Sequence, residues 1–248
     1  KKIIKENDLK PYVSPKNFYS KKITSKNIFP LSQISNTEIL LCNERSWITI
    51  KTDKHGFNNN NNIYEKKIDY VVLGDSFAMG FCVNTKNNFV SNLNNFSKLN
   101  GLNLGQGGNG PLLSFATLKE FGLSHKPNFV VHLIFENDIY DLENELGNSY
   151  LNSNYLINNN LQNLQNNQKI VDKLLNQDPK LNVDYIFNQR EMNYDKIKKN
   201  ILKKTFKIGN LREYLSLVRK SKLTYNYDNI FSVLKKINNY LKINNIDY

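Results

Sequence analysis

The sequence predicts an α/β fold built on a parallel sheet, and three observations carry that expectation. Apolar runs without polar alternation, "KIDYVVLG" and "PNFVVHLIF", read as strands buried on both faces. Segments with helical spacing separate them, as crossover connections between parallel strands require. Each strand then opens into a turn of Gly, Asp, Ser, Glu or Asn, on the side where open parallel sheets bind their ligands.

Taken in order, residues 1–65 form an N-terminal extension. It mixes Pro11, Pro15 and Pro30 with short apolar runs and ends in "HGFNNNNNIY", whose five consecutive asparagines read as a polar connector. Most of it is expected to be loop, with two strands around 38–50. The main domain spans 66–248. "KIDYVVLG" is its first strand, "TKNNFVSNLNNF" a helix, and "GLNLG" a short second strand. "PLLSFATLKEFG" is a helix that begins at Pro111, where a missing N–H costs nothing. "PNFVVHLIF" is the third strand. An Asn- and Gln-rich stretch of about 144–190 reads as an insertion of helices and loops. Helical spacing continues over 191–206, 209–221 and 226–244, and "NIDY" suggests one more strand. There is no internal repeat and no heptad run.

At 248 residues the chain can bury a substantial core. Lys and Arg outnumber Asp and Glu by 34 to 22, a net charge of +12. Asn, Lys, Ile, Tyr and Phe are abundant while Ala occurs only at Ala78 and Ala116, a bias that points to AT-rich coding rather than to a nucleic-acid partner. The densest basic run, 196–222, also carries apolar residues at helical spacing and reads as a helix with a solvated basic face. No stretch reaches the ~18 apolar residues of a membrane span. The chain starts at Lys1 without Met and stops at Tyr248 as an apolar stretch opens, so it reads as a piece of a longer product, with room for a signal or membrane anchor upstream. Cys42 and Cys82 lack the spacing of a zinc site; they form either one disulfide or two buried thiols. A disulfide would require an oxidising compartment such as a bacterial periplasm. Cell envelope and cytoplasm both stay open, with the envelope slightly preferred.

The chemistry concentrates in three turns. Gly74-Asp75-Ser76 follows the first strand, Gly105-Gln106-Gly107-Gly108-Asn109-Gly110 the second, and Glu136-Asn137-Asp138 the third. A Ser in the first position can meet an acyl carbon beside backbone N–H groups that favour an oxyanion. Gly105 offers a bare backbone N–H and Asn137 a carboxamide donor from the neighbouring strand. Singly, each is an ordinary turn or helix cap. Their order along the chain is the informative feature.

That order resembles the SGNH (GDSL-type) hydrolase family. "GDSF" is similar to the family's first block, "NLGQGG" to its second and "ENDIYDL" to its third. "LLCNERSWITIKTDKHGFNN" further resembles a bacterial subgroup with an N-terminal extension, so the likeness covers roughly residues 28–145. It implies a three-layer α/β/α sandwich with a flavodoxin-like parallel sheet, incomplete at its C-terminal side. It also implies a serine esterase acting on a small-molecule or glycan ester without metal or cofactor. Ser76 is then nucleophile and first oxyanion donor, Gly105 the second donor and Asn137 the third, while Asp75 orders the turn.

The family's late Asp-x-x-His, whose His activates the serine, is missing. The three histidines are His55, His125 and His132. With the third strand running on to Asn137, His132 falls ~16 Å from the functional edge, at ~3.3 Å per residue. His125 precedes the strand, and His55 belongs to the extension. The chain is therefore expected to lack its catalytic Asp-His. Two rivals remain. One is an O-acyltransferase or an inactive glycan-binding relative on the same fold. The other is a dinucleotide site, because "GQGGNG" formally satisfies G-x-G-x-x-G.

Overall fold

The computed structural model describes residues 9–18, 28–42, 48–177 and 227–248. The helices expected at 191–206 and 209–221, and the basic run 196–222, lie outside the described residues.

Among the described residues, two small sheets organise the chain. In the extension, β1 (Lys10–Pro11) pairs parallel with β2 (Glu38–Cys42), which runs antiparallel to β3 (Ile48–Lys51). Ile48 and Ile50 alternate inward with period two and meet Ile39, Leu41 and Met79 in their own cluster. The second sheet is all parallel: β4 (Tyr70–Leu73) lies between β5 (Gly101–Asn103) and β6 (Phe129–His132). Beyond β6, Phe129 forms a parallel bridge with Asp247, with Val130 N donating to Asp247 O at 2.8 Å. The pairing expected from "NIDY" begins there.

The α-helices among the described residues are α1 (Ser76–Met79), α2 (Phe89–Ser97), α3 (Pro111–Thr117), α4 (Asn137–Leu146), α5 (Ser149–Leu151), α6 (Gln168–Asn176) and α7 (Tyr227–Ile243). Local chemistry sets their ends. Asn88 caps α2 by accepting from Ser91 N at 2.8 Å, and Pro111 opens α3 as expected. A wider π turn, Leu118–Gly122, continues α3.

All four residues of β4 are buried, but on two different faces. Val71 and Leu73 pack with Leu112 and Phe115 of α3 and with Ile237 and Leu241 of α7. Tyr70 and Val72 pack with Val90 and Leu93 of α2 and with Ala78. Such a strand has no solvent face, which is why its sequence shows no alternation. Each fully buried aliphatic side chain contributes about 1.5–3 kcal/mol relative to exposure. Phe29, Leu31 and Phe57 from the extension share the first of these clusters with Val71, as do Tyr155, Leu164 and Val171 from the 144–190 stretch. The chain is thus a mixed α/β structure with a parallel sheet.

The third strand is shorter than its apolar run. It ends at His132 because Leu133 N makes the last pairing bond, to Leu73 O at 3.0 Å, and the carboxylate of Asp138 then takes Phe135 N at 2.8 Å. Cys82 is disulfide-bonded, and no cysteine is free among the described residues. No described helix is long and apolar enough to cross a membrane.

Candidate active site

The turn after β4 is stitched to both neighbouring turns through Gly74. Its φ of +137° is a conformation that side chains avoid, and a Cβ there would lie 2.6 Å from Leu133 O, next to β6. Its carbonyl accepts from Gln106 N at 3.1 Å, in the loop after β5. Asp75 is buried and caps α1 by accepting from Phe77 N at 2.9 Å through Oδ1. Its other oxygen, Oδ2, accepts from the hydroxyl of half-buried Ser76 at 3.4 Å.

Asn137 opens α4 and is exposed. Its Nδ2 lies 3.5 Å from Asp75 Oδ2, 3.4 Å from Asp138 Oδ1 and 3.3 Å from Asp141 Oδ2. Two N–H groups shared among three distant acceptors make weak bonds, so the carboxamide is oriented without being committed. The site is acidic. Burial, then the charges of Asp75 and Asp141, push Asp138 up to about 7, against the opposing pull of its bond from Phe135 N. Burial pushes Glu145 up to about 8, although Gly110 N and Leu112 N donate to it at 2.6 and 2.8 Å. Among the described residues no group of three or more His, Cys, Asp or Glu could hold a metal ion.

Gly105 does not face this cluster with a free amide. It is buried, its N–H donates to Asn103 Oδ1 at 2.9 Å, and a Cβ there would lie 2.4 Å from Met79 N. The residue must be glycine because α1 crosses over it. Further along the loop, Asn109 N donates to Gln106 O at 3.0 Å and closes a β-turn. Gly108 holds its third position with φ +83°, where glycine is the favoured residue. Gly108 is half-exposed, and its N–H has no hydrogen-bond partner among the described residues. A sequence signal existed: of the four glycines at 105–110, Gly107 and Gly108 belong to a Gln-Gly-Gly-Asn turn, and Gly108 takes its third position.

The extension contributes residues to the same place, which the sequence did not reveal. Tyr12 OH donates to Gly107 O at 2.9 Å, and Lys16 Nζ lies 3.5 Å from Asp141 Oδ1. Burial first, and then the nearby Asp75 charge, raises the Tyr12 phenol above its usual range, so it stays protonated and donates. On the outer side, Phe77 and Phe135 are 61 % and 53 % exposed with ring centroids 4.9 Å apart. Ile134 and Tyr140 are exposed in the same segments. Apolar side chains bare to solvent on both sides of Ser76 and Asn137 are the kind of surface that marks binding.

No histidine hydrogen-bonds to Ser76 or Asp75. His132 pairs with Leu73 in the sheet, so it lies nearer the edge than a strand running to Asn137 would place it. Its Nδ1 is nevertheless 2.7 Å from Tyr248 OH, and burial pulls its pKa down to about 4. His55 and His125 stand on either side of Tyr64, with ring centroids 5.3 and 5.7 Å away. The dinucleotide reading also meets an obstacle. The amides at the start of α3 that would face a pyrophosphate are already taken by the Glu145 carboxylate.

No family model and no curated protein matches the chain. A solved structure from Desulfitobacterium hafniense DCB-2, named for the G-D-S-L family of lipolytic proteins, is similar at 20% identity and a TM-score of 0.28. The match covers 42% of this chain and 67% of that one. A TM-score that low carries no weight for the site.

Proposed function

We propose that the chain is a serine esterase of the SGNH (GDSL) type, on a three-layer α/β/α sandwich with a flavodoxin-like parallel sheet. One observation carries the reading: Ser76 and Asn137, from turns after different strands, meet at a single oxygen of Asp75 at one edge of a parallel sheet. Ser76 Oγ attacks the ester carbonyl carbon while a base in solution takes the hydroxyl proton, and the tetrahedral intermediate collapses as its C–O bond breaks and the protonated base returns that proton to the departing alcohol. Water then releases the acyl group.

The oxyanion is received by Ser76 N–H, by Asn137 Nδ2 and by one glycine N–H of the 105–110 loop. Gly105 could serve only if the Asn103 carboxamide turned away. The accessible, unpaired amide of Gly108 suits the role better. Each such donor typically contributes about 3–4 kcal/mol to the transition state. The Phe77–Phe135 pair lines the approach and would take the apolar part of the ester. The disulfide at Cys82 supports an oxidising compartment.

None of the three histidines bonds to Ser76, so the base that takes its proton comes from solution. Hydrolysis of a simple aryl ester, measured with and without added imidazole and corrected for the imidazole-only rate, tests the reading. Rescue by imidazole in the wild type but not in Ser76→Ala, with fluorophosphonate labelling at residue 76, supports it. Equal rates in the two proteins, or labelling elsewhere, sink it. An O-acyltransferase uses the same acyl-serine and passes it to a sugar hydroxyl; product analysis with a polysaccharide acceptor separates the two.

A further inference from the structure

We propose that the groove between the asparagine run and helix α2 is a binding site for an acidic oligosaccharide, independent of Ser76 chemistry. The run at 58–62 is more than a connector. It leads into a short 3-10 turn, Asn61–Glu65, and faces α2 across a cleft of about 380 Å³. A second cleft of about 350 Å³ shares Asn59, Asn60 and Thr85 with the first and reaches Lys51. The two form one elongated groove, each part within the range of small-ligand sites.

Half of the residues lining the larger cleft are asparagines, and no Asp or Glu lines either cleft. The amides fall into two groups. Some are spent inside the fold: Asn58 Nδ2 donates to Met79 O at 2.8 Å, and Asn94 Oδ1 accepts from Gly101 N at 2.8 Å. Asn62 and Asn95 are exposed, and their side chains have no partner among the described residues. A free carboxamide offers a donor and an acceptor side by side, which matches a pair of neighbouring sugar hydroxyls. Lys66 and Lys98 line the same cleft, exposed and without a carboxylate partner among the described residues. With Lys51 they put ammonium groups on the lining, while the nearby acids lie behind it or across the sheet: Asp69 accepts from Asn100 N and Asp53 from Asn59 Nδ2, both at 2.8 Å, and Glu38 stands opposite Lys51 in the β2–β3 register. The lining itself therefore favours a ligand that carries negative charge.

Single-stranded nucleic acid also carries negative charge, but it is bound by stacking its bases on aromatic rings. The groove has no aromatic lining; its apolar members are Ile63, Val90 and Leu99. Carboxamides outnumber ammonium groups, which fits a chain rich in hydroxyls with sparser acid groups.

Isothermal titration of the 248-residue chain tests the proposal, with a short oligogalacturonate, a neutral cello-oligosaccharide and an oligothymidylate as probes. The expected result is saturable binding of the oligogalacturonate, weakened by salt and about tenfold tighter than the neutral sugar. Lys66→Ala with Lys98→Ala, and separately Asn62→Ala with Asn95→Ala, should each weaken it about tenfold. Lys66→Arg with Lys98→Arg keeps the charge and should retain binding, which separates loss of charge from loss of fold. Ser76→Ala should bind as the wild type does, so failure of the esterase reading leaves this site standing. No saturable binding of oligogalacturonate, tighter binding of oligothymidylate, unchanged affinity in both alanine pairs, or loss in the arginine pair overturns the assignment.

Discussion

Ser76 and Asn137 share one acceptor: Asp75 Oδ2 lies 3.4 Å from the Ser76 hydroxyl and 3.5 Å from the Asn137 amide. Asp75 is held by its cap bond to Phe77 N, so it fixes where both side chains meet. Asn137→Ala should therefore lower kcat by about 10²–10³ with little change in KM, as loss of one oxyanion donor does. Asn137→Asp, which replaces the donor by a further carboxylate, should be no better. Steady-state kinetics on any ester hydrolysed in a Ser76-dependent way checks this.

The two glycines of the second loop should fail differently. Gly105→Ala forces a methyl group to 2.4 Å from Met79 N, so it should lower the melting temperature markedly, as overpacking of a core by about 1–3 kcal/mol does. Gly108→Ala meets Ser14 Oγ at 2.8 Å and an unfavourable φ, at the half-exposed surface. It should leave more of the stability and remove more of the Ser76-dependent rate. Melting temperature and rate, measured on both variants, would assign the donor; a stable, inactive Gly105→Ala would return the role to Gly105.

Tyr12 ties the extension to the loop that carries Gly108. Tyr12→Phe removes the bond to Gly107 O and should cost about 1 kcal/mol, since the ring remains packed on Phe81. Lys16→Ala should cost less than about 1 kcal/mol in stability because its pair with Asp141 is partly exposed. Chemical denaturation of the two variants distinguishes a partly buried hydrogen bond from a screened ion pair.

Stability should fall as pH rises from neutrality to about 8. Asp138 and Glu145 have folded pKa values of about 7 and 8, above their ordinary 3.8 and 4.5. The folded state therefore binds protons more tightly at these two groups, and their contribution is lost as pH rises through those values. His132 and His55 work in the opposite sense. Burial lowers both from 6.5 to about 4, so their contribution grows between those two pH values and is complete above 6.5. The two sets oppose each other at acid pH, and between 6.5 and 8 the carboxyl groups dominate; burial lowers the Lys119 ammonium from 10.5 to about 8, so it acts in the opposite sense from the top of that window upward. Melting temperatures across that window should drop in the wild type and drop less in Glu145→Gln.

Much of this was legible in the sequence. The unalternating run at 70–73, Pro111 at a helix start and the strand at 101–103 follow from local patterning, because burial on both faces and a missing N–H are properties of short segments. That the turns carrying Ser76 and Asn137 lie at one edge was legible for a similar reason, since both follow parallel strands of one sheet.

Tertiary structure decided what depends on distant partners. Gly105 and Gly108 look alike in sequence; the crossing of α1 over one and the turn geometry of the other separate them. Tyr12 and Lys16 join the site only because the extension packs back against the second loop. Glu145 occupies the start of α3 across more than thirty residues of chain, which removes a phosphate site that the motif alone would allow. Local pattern fixes which segments form, whereas the direction of an amide or a carboxylate depends on which other segment arrives to meet it.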